Sequence, residues 1–521
     1  MNSMASNPRW HPDEARGIIK RIVIEGTLTL SSSAHFGNGD GADLTDMPLL
    51  TDADGRPLLT GTALAGALRA YLCERVQGFR VAETKTSTSV LLFGGLREDA
   101  DGEQSSLIVE DALGTPADPK HHGVEIRSGV RLAPESRTAA EGALFDMELW
   151  QGGMTFPLRL ELLVLAPDRP GAAPEADLRS ALATALAGLH AGDGGITLGA
   201  RKRRGFGRVR TSGWQVQEYD FTTLAGLRDW VRQGGKALTN AARQSSSICS
   251  LLLTTEIPDR RSLMTVEAEF FLAPFPGALG IGSLLIRASG GQVDTGPDMV
   301  HLKTRAEDGT LGAPVSGTAA GGALRARCDK ILHTLCATSG APDALEKAKT
   351  LTDDLFGPML SSGSTKVRAR AGRFRVEEHL IIEPCVNLVQ SRVSIDRFTG
   401  GAYATALFNQ QPVFSRGLET RVRLRFQLED PKDYEAGLLL HFLKDLWTCD
   451  LPLGGESSVG RGRLWGLSAD ITRSSGETCS VEHWRIEQTD AGLQVAGDRP
   501  VMERWTSQLC KHLGVSYEPT H

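Results

Sequence analysis

Apolar residues alternate along residues 18–30, with Ile22, Ile24, Leu28 and Leu30 in phase. They alternate again along residues 155–165, as Phe156, Leu158, Leu160, Leu162 and Val164. A period of two predicts strands with one buried face. Between these stretches Leu64, Leu68, Tyr71 and Leu72 recur at helical spacing from Thr62 to about residue 77. Residues 176–190, rich in Ala and Leu, predict a second helix, residues 106–112 another strand, and a last strand runs to about Val216. The order is β-α-β-β-α-β, the split βαβ or ferredoxin-like pattern.

The same series then returns. Gly61-Thr62-Ala63-Leu64-Ala65-Gly66-Ala67-Leu68-Arg69 is answered 256 residues later by Gly317-Thr318-Ala319-Ala320-Gly321-Gly322-Ala323-Leu324-Arg325. Thr62 and Thr318 are the expected N-caps, because a hydroxyl there can accept from an orphan amide of the first turn. Leu324, Cys328, Ile331 and Leu335 continue the second helix, after a strand at residues 265–272 and before a helix at 435–447. Gly280 and Gly282 stand in for Gly37 and Gly39, Asp298-Met299 for Asp46-Met47, and Leu355-Phe356-Gly357 for Leu92-Phe93-Gly94. Residues 393–408 match 130–145 without a gap, and residues 453–463 match 198–208. Landmarks in one order at this density indicate a tandem duplication. The expected layout is α+β: a tail at 1–17, a first domain at 18–217, a linker at 218–262, a second domain at 263–475 and an extension at 476–521. Each domain carries a long inserted hairpin, at about 123–148 and 385–412.

Composition narrows the function. The net charge of −6 over 521 residues excludes a global polycation, so any nucleic-acid site is a local patch. Eight cysteines without a Cys-x-x-Cys pair argue against a zinc ribbon or disulfide framework and for a reducing compartment. The polar start lacks a signal-peptide core and no apolar run is long enough to span a bilayer, so the expectation is a cytoplasmic chain with no membrane association.

Three features can carry chemistry. The first is a pair of glycine-rich loops. One holds Gly199, Arg201, Lys202, Arg203, Arg204, Gly205, Gly207 and Arg208; the other Gly454, Gly455, Ser457, Gly460, Arg461, Gly462 and Arg463. Glycines let backbone amides approach a phosphate, and the cations add charge. A solvated basic turn is the plain alternative for either copy alone. The second is the pair of hairpin tips, with Arg137-Thr138 and Arg397-Phe398-Thr399-Gly400. The third is Asp46 and Asp298, each before a Met in the loop between first strand and first helix. Such a carboxylate can orient a metal-bound water or help deprotonate a ribose hydroxyl. Asp40, Asp43, Asp52, Asp54 and Asp294 read as turn residues, and His121-His122 as surface.

Together, the Gly-Thr-Ala helix start, Leu-Phe-Gly, the run Ile395-Asp396-Arg397 with Thr399-Gly400, and the Gly-Gly-x-x-Ser-x-Gly-x-Gly-Arg loop resemble RAMP-superfamily backbone subunits of type III CRISPR effector complexes. The fused pair resembles the double-domain subunits of subtype III-D-like systems. The resemblance implies RRM-like domains that hold a guide RNA with the glycine loops and intrude hairpin thumbs into the guide–target duplex. It further implies metal-dependent, RNA-guided endoribonuclease activity, with target RNA cut beside Asp46 and Asp298 and a divalent ion, taken as Mg. The implied RNA contacts are the two loops with Arg137, Arg397 and His35. The implied partners are guide RNA, target RNA, the large polymerase- or cyclase-like subunit, a small subunit and other RAMP subunits. The alternatives are a non-catalytic guide-binding scaffold of the same complex and a guide-precursor processing nuclease. The sequence departs from the pattern where His35 falls opposite Ala278, and where the second repeat carries about nine extra residues between its Gly pair and Asp298.

Overall fold

Both alternating stretches are strands at the centre of a sheet. The computed structural model describes residues 17–39, 45–96, 102, 104–118, 122–133, 139–169, 171–190, 192, 194–238, 242–272, 281–287, 296–337, 339, 341–359, 369–382 and 385–515. The tail at 1–16, Asp40, Asp43, His121, Ala278, Gly280, Asp294 and the first hairpin tip with Arg137-Thr138 lie outside them. In chain order the first repeat holds β1 (Ile18–Leu30), α1 (Gly61–Gln77), β2 (Leu107–Val109), the hairpin strands β3 (Val124–Leu132) and β4 (Ala139–Trp150), β5 (Thr155–Leu165), α2 (Glu175–Ala187) and β6 (Val209–Asp220). The sheet order is β2-β5-β1-β6, all antiparallel, with a short strand Arg243–Ser245 outside β6. This is the ferredoxin-like arrangement. The in-phase residues Ile22, Ile24, Leu28, Phe156, Leu160 and Val164 are buried together with Leu64, Leu68 and Leu72 of α1 and Leu178, Leu182 and Leu186 of α2. Each such side chain contributes roughly 2 kcal/mol of burial.

The second repeat is built alike from β7 (Leu263–Leu272), α3 (Gly317–Ala337), β8 (Phe374–Val376), the hairpin strands β9 (Gln390–Ile395) and β10 (Ala402–Gln411), β11 (Arg421–Glu429), α4 (Asp433–Trp447) and β12 (Leu464–Ser475). Its sheet runs β8-β11-β7-β12. The C-terminal stretch then adds β13 (Ser480–Thr489) and β14 (Gly492–Ala496) to that edge, and α5 (Arg499–His512) packs on α4. Trp484 and Trp505, both buried, meet edge to face at 4.8 Å between them. The extension therefore continues the second core and pairs an edge that would otherwise offer free backbone groups. Among the described residues no helix is long and apolar enough to cross a membrane, and none of the eight cysteines is in a disulfide.

Two expectations need correction. The helices start before the expected caps: Thr60 Oγ1, not Thr62, accepts the Ala63 N–H at 3.2 Å, and Ser316 Oγ accepts the Thr318 N–H at 3.3 Å. The cap sits earlier because Gly61 and Gly317 are themselves in the first turn, where a Cβ would strike the carbonyls of Val109 and Val376. The second concerns the loop before Asp298. The Gly207 N–H bonds the Ser33 carbonyl and the Gly462 N–H bonds the Ser283 carbonyl; the Ala200 N–H bonds His35 and the Gly455 N–H bonds Leu285. His35 thus lies opposite Leu285, not Ala278, and Gly280 and Gly282 are not the counterparts of Gly37 and Gly39. The Leu50 N–H bonds the Phe36 carbonyl as the Leu302 N–H bonds Ile286, so the nine extra residues shrink to two. Glycine spacing does not mark this register, because backbone pairing, which residue type does not report, sets it.

Candidate nucleic-acid interface

The two aspartates occupy one frame. Met47 pairs in parallel with Met147 of β4, and the Asp46 Oδ2 accepts the Asp146 N–H at 2.9 Å. Met299 pairs in parallel with Gln410 of β10, and the Asp298 Oδ2 accepts the Asn409 N–H at 2.7 Å. Both aspartates are exposed. Each carboxylate is therefore aimed by the base of its own hairpin, with Oδ1 taking no hydrogen bond among the described residues. Behind each stands a serine, Ser128 bonded to Asp146 and Ser391 to Asn409 at 2.7 Å.

The charge around the two differs. Near Asp46 the Arg201 guanidinium lies 4.2 Å from the Phe145 ring centroid and 3.7 Å from the Met47 sulfur. At the matching place near Asp298 stands Glu456, bonded to Arg392 at 2.9 Å and Arg461 at 2.6 Å. Arg201 and Glu456 share the left-handed conformation, with φ of 55° and 59°. Burial alone would raise the Glu456 carboxyl; the bonds from Gln410 and Arg461 bring it below the usual carboxylate range. Among the described residues no group of three His, Cys, Asp or Glu could enclose a metal ion. One exposed carboxylate with Asp146 or Asn409 beside it suits an ion that keeps its waters and takes its other ligands from substrate phosphate, as Mg does.

The hairpins repeat in register. Val130 faces Leu144 and Leu132 faces Ala139; Val393 faces Leu407 and Ile395 faces Ala402, every position shifted by 263. At the second tip Asp396 accepts the Phe398 N–H at 3.0 Å and the Thr399 hydroxyl at 2.8 Å. This turn leaves Arg397 exposed and the Phe398 side chain 99% exposed. Leu144 and Leu407, 69% exposed, are apolar positions on the hairpin shafts with no core to enter. Arg137 belongs to the tip outside the described residues.

The glycine loops share one backbone path. Gly199 and Gly454, Gly205 and Gly460, and Gly207 and Gly462 all have positive φ, and Lys202–Arg204 matches Ser457–Val459 as a single tight turn. A Cβ at Gly207 or Gly462 would collide with the carbonyl of Leu198 or Leu453, so only glycine fits. Their surroundings are not alike. The first loop is wedged between the repeats. Arg203 pairs with Glu429, Arg208 with Glu377 at 2.7 Å, and the Arg204 chain crosses Gly317 and Gly321 of α3. Gly205 lies against the backbone of Glu377 and Glu378. Of the basic run expected to face phosphate, Lys202 alone is exposed; it borders a cavity of about 360 Å³ shared with Thr62, Gly66, Arg375 and Glu429. Although the Lys202 side chain reaches solvent, the protein packed around it desolvates the ammonium and, with Arg375 and Arg203 nearby, lowers it from its usual value. In the second loop Gly460 has open space around it, Ser457 and Arg463 are at least partly exposed, and Arg461 is buried on Glu456, Ser283, Gln390 and Gln410.

The joint between the repeats continues beside this loop. Arg127, buried in β3, donates to both Glu378 oxygens at 2.5 and 2.8 Å and also pairs with Glu125. Burial would lower its guanidinium; Glu378 and Glu125 more than reverse that. Glu125 also accepts the Thr304 hydroxyl at 2.8 Å. His379 sits on the same seam. Burial, with Arg208 and Arg423, depresses its imidazole to about 3, and Glu377 at 3.6 Å is already engaged by Arg208. The folded imidazole stays neutral between its ordinary value of 6.5 and about 3, while the unfolded one gains a proton, so stability falls as pH drops through that window. We expect His379→Gln to flatten the decline between pH 6.5 and 4 in urea titrations at stepped pH.

A sequence profile of the RAMP superfamily matches residues 27–210 and, a second time, residues 300–465. The chain belongs to the RAMP superfamily. Membership places it among CRISPR-associated RNA-binding proteins, and the two matches make it a double RAMP chain. A comparison with curated proteins finds no match. His35 of this RAMP chain is buried, its Nδ1 2.8 Å from the Glu148 carbonyl, beneath the Asp46 loop rather than on an open surface. Sequence reasoning overlooked Arg127, Glu148, Glu377, Glu378 and Glu429. Carried three residues past the match, the shift of 263 sets Glu148 against Gln411, and that contrast is the signal the sequence offers for Glu148.

Proposed function

We propose that this RAMP chain is a guide-RNA-binding backbone subunit of a type III CRISPR ribonucleoprotein that cuts complementary target RNA beside Asp46 and Asp298. One observation carries the reading: in both repeats an exposed carboxylate is bonded to the same backbone amide at the base of an outward hairpin. A duplex interrupted by the hairpin would present its bent backbone to that carboxylate. Base pairing then selects the sequence, and the protein positions one phosphate. A divalent ion held by Asp46 or Asp298 would supply charge neutralisation at that phosphate. The aspartate's own part is to hold a proton-accepting oxygen at the attacking hydroxyl. The test is a cleavage map of labelled target RNA by the assembled complex carrying Asp46→Ala, Asp298→Ala or both. Survival of every cut in the double variant overturns the reading and leaves the non-catalytic scaffold alternative.

The guide path is assigned to the second glycine loop and the Lys202 cavity, since Arg203 and Arg208 are committed to the joint. Lys202→Ala is expected to weaken guide binding and to reduce its salt slope by about one, in titrations at several salt concentrations. An unchanged slope removes Lys202 from the path.

A further inference from the structure

We infer that Glu148 is the positioning residue of the first centre, and that the second centre is built without an equivalent. The inference rests on the reading of Asp46 as a cutting-site carboxylate. Every polar group of Glu148 is turned to the Asp46 loop or its support. Its Oε1 accepts the Thr45 hydroxyl at 3.0 Å and its Oε2 accepts the Leu49 N–H at 3.0 Å. Its own N–H donates to the Met47 carbonyl at 3.1 Å, and its carbonyl receives His35 Nδ1 at 2.8 Å. Thr45 and Leu49 are the two ends of the short segment that carries Asp46, so one carboxylate spans that segment. Asp146, two residues earlier on the same strand, donates its N–H to Asp46 Oδ2. Brace and aimed oxygen are therefore fixed to one strand. Bonds to a charged acceptor are about twice as strong as neutral ones.

The second repeat keeps the frame and lacks the brace. Pro297 stands where Thr45 stands and Gln411 where Glu148 stands. Pro297 has no hydroxyl to give. The Gln411 carbonyl accepts the His301 N–H at 3.0 Å, but among the described residues its side chain holds neither end of the loop. His301 ties the far end as well, its Nδ1 accepting the Ile286 N–H at 3.2 Å and its Nε2–H donating to the Pro314 carbonyl at 3.0 Å. The Asp46 loop is thus tied at both ends through one carboxylate, and the Asp298 loop at its far end through the Gln411 carbonyl and a buried imidazole.

The test measures single-turnover rates of each cut at saturating target, using the assembled complex. Glu148→Gln is expected to slow the Asp46 cut by about tenfold to a hundredfold, the scale of a roughly 1 Å misplacement. Target affinity and the Asp298 cut should not change. Thr45→Val should act in the same direction, Thr45→Ser should retain the rate, and Glu148→Gln with Thr45→Val should be no slower than Glu148→Gln alone. Gln411→Glu should leave the Asp298 cut as it is. An unchanged Asp46 cut in Glu148→Gln, or equal slowing of both cuts, overturns the inference. If Asp46→Ala leaves its cut intact, the cutting-site reading fails instead. The brace is then judged by amide exchange in the full chain: exchange across residues 45–49 should quicken in Glu148→Gln or Thr45→Val while 297–301 stays unchanged, and no difference overturns it.

Discussion

Asp46→Ala is expected to suppress one class of cut in target RNA and Asp298→Ala the other, each by at least about a hundredfold, while guide binding and stability hold. The rate loss follows from removing the group that holds the proton acceptor, a contribution of about 10² to 10⁴. Stability holds because both side chains are exposed and each takes one N–H from a strand edge that water can satisfy; surface changes of that kind stay within about 0.5 kcal/mol. The two cuts should differ in wild type. Arg201 beside the first centre faces developing phosphate charge with no carboxylate bonded to it among the described residues, whereas beside the second Glu456 binds Arg392 and Arg461 and offsets part of their positive charge. Time courses of both products, read from one labelled target, check the loss and the ranking.

Glu378→Ala is expected to loosen the two repeats and lower stability by about 3 kcal/mol, the low end of the cost of breaking a buried ion pair, because the buried Arg127 loses one of its two carboxylate partners. Arg127 would keep Glu125 but lose both of its bonds across the joint. Neither oxygen of Glu378 is replaceable by solvent, since both side chains are almost wholly buried. Replacing all three charged groups, as Arg127→Met with Glu125→Gln and Glu378→Leu, is expected to recover most of the loss, because no buried charge is then left unpaired. Urea midpoints for the single and triple variants decide it. A loss below about 1 kcal/mol in Glu378→Ala would mean that the joint does not depend on this pair. The same logic separates structural from RNA-facing cations in the first loop: changes at Arg203 or Arg208 should move the urea midpoint, and a change at Lys202 should move the salt slope.

The amino-acid sequence by itself determined the duplication, the strand and helix order of each repeat, the hairpin register and the glycine-loop path. These are local or periodic properties. Alternation at 155–165, helical spacing at Leu64, Leu68 and Leu72, and glycines where only glycine fits leave marks that survive without coordinates. Only the tertiary structure decided which cations face solvent. Arg203 and Arg208 look like phosphate ligands until Glu429 and Glu377, far along the chain, are brought against them. It also decided the counterpart of His35, because a backbone hydrogen bond to Leu285 has no signature in side-chain type. Charge pairing and backbone register across a fold depend on residues distant in sequence, and a linear pattern carries no information about which distant groups will meet.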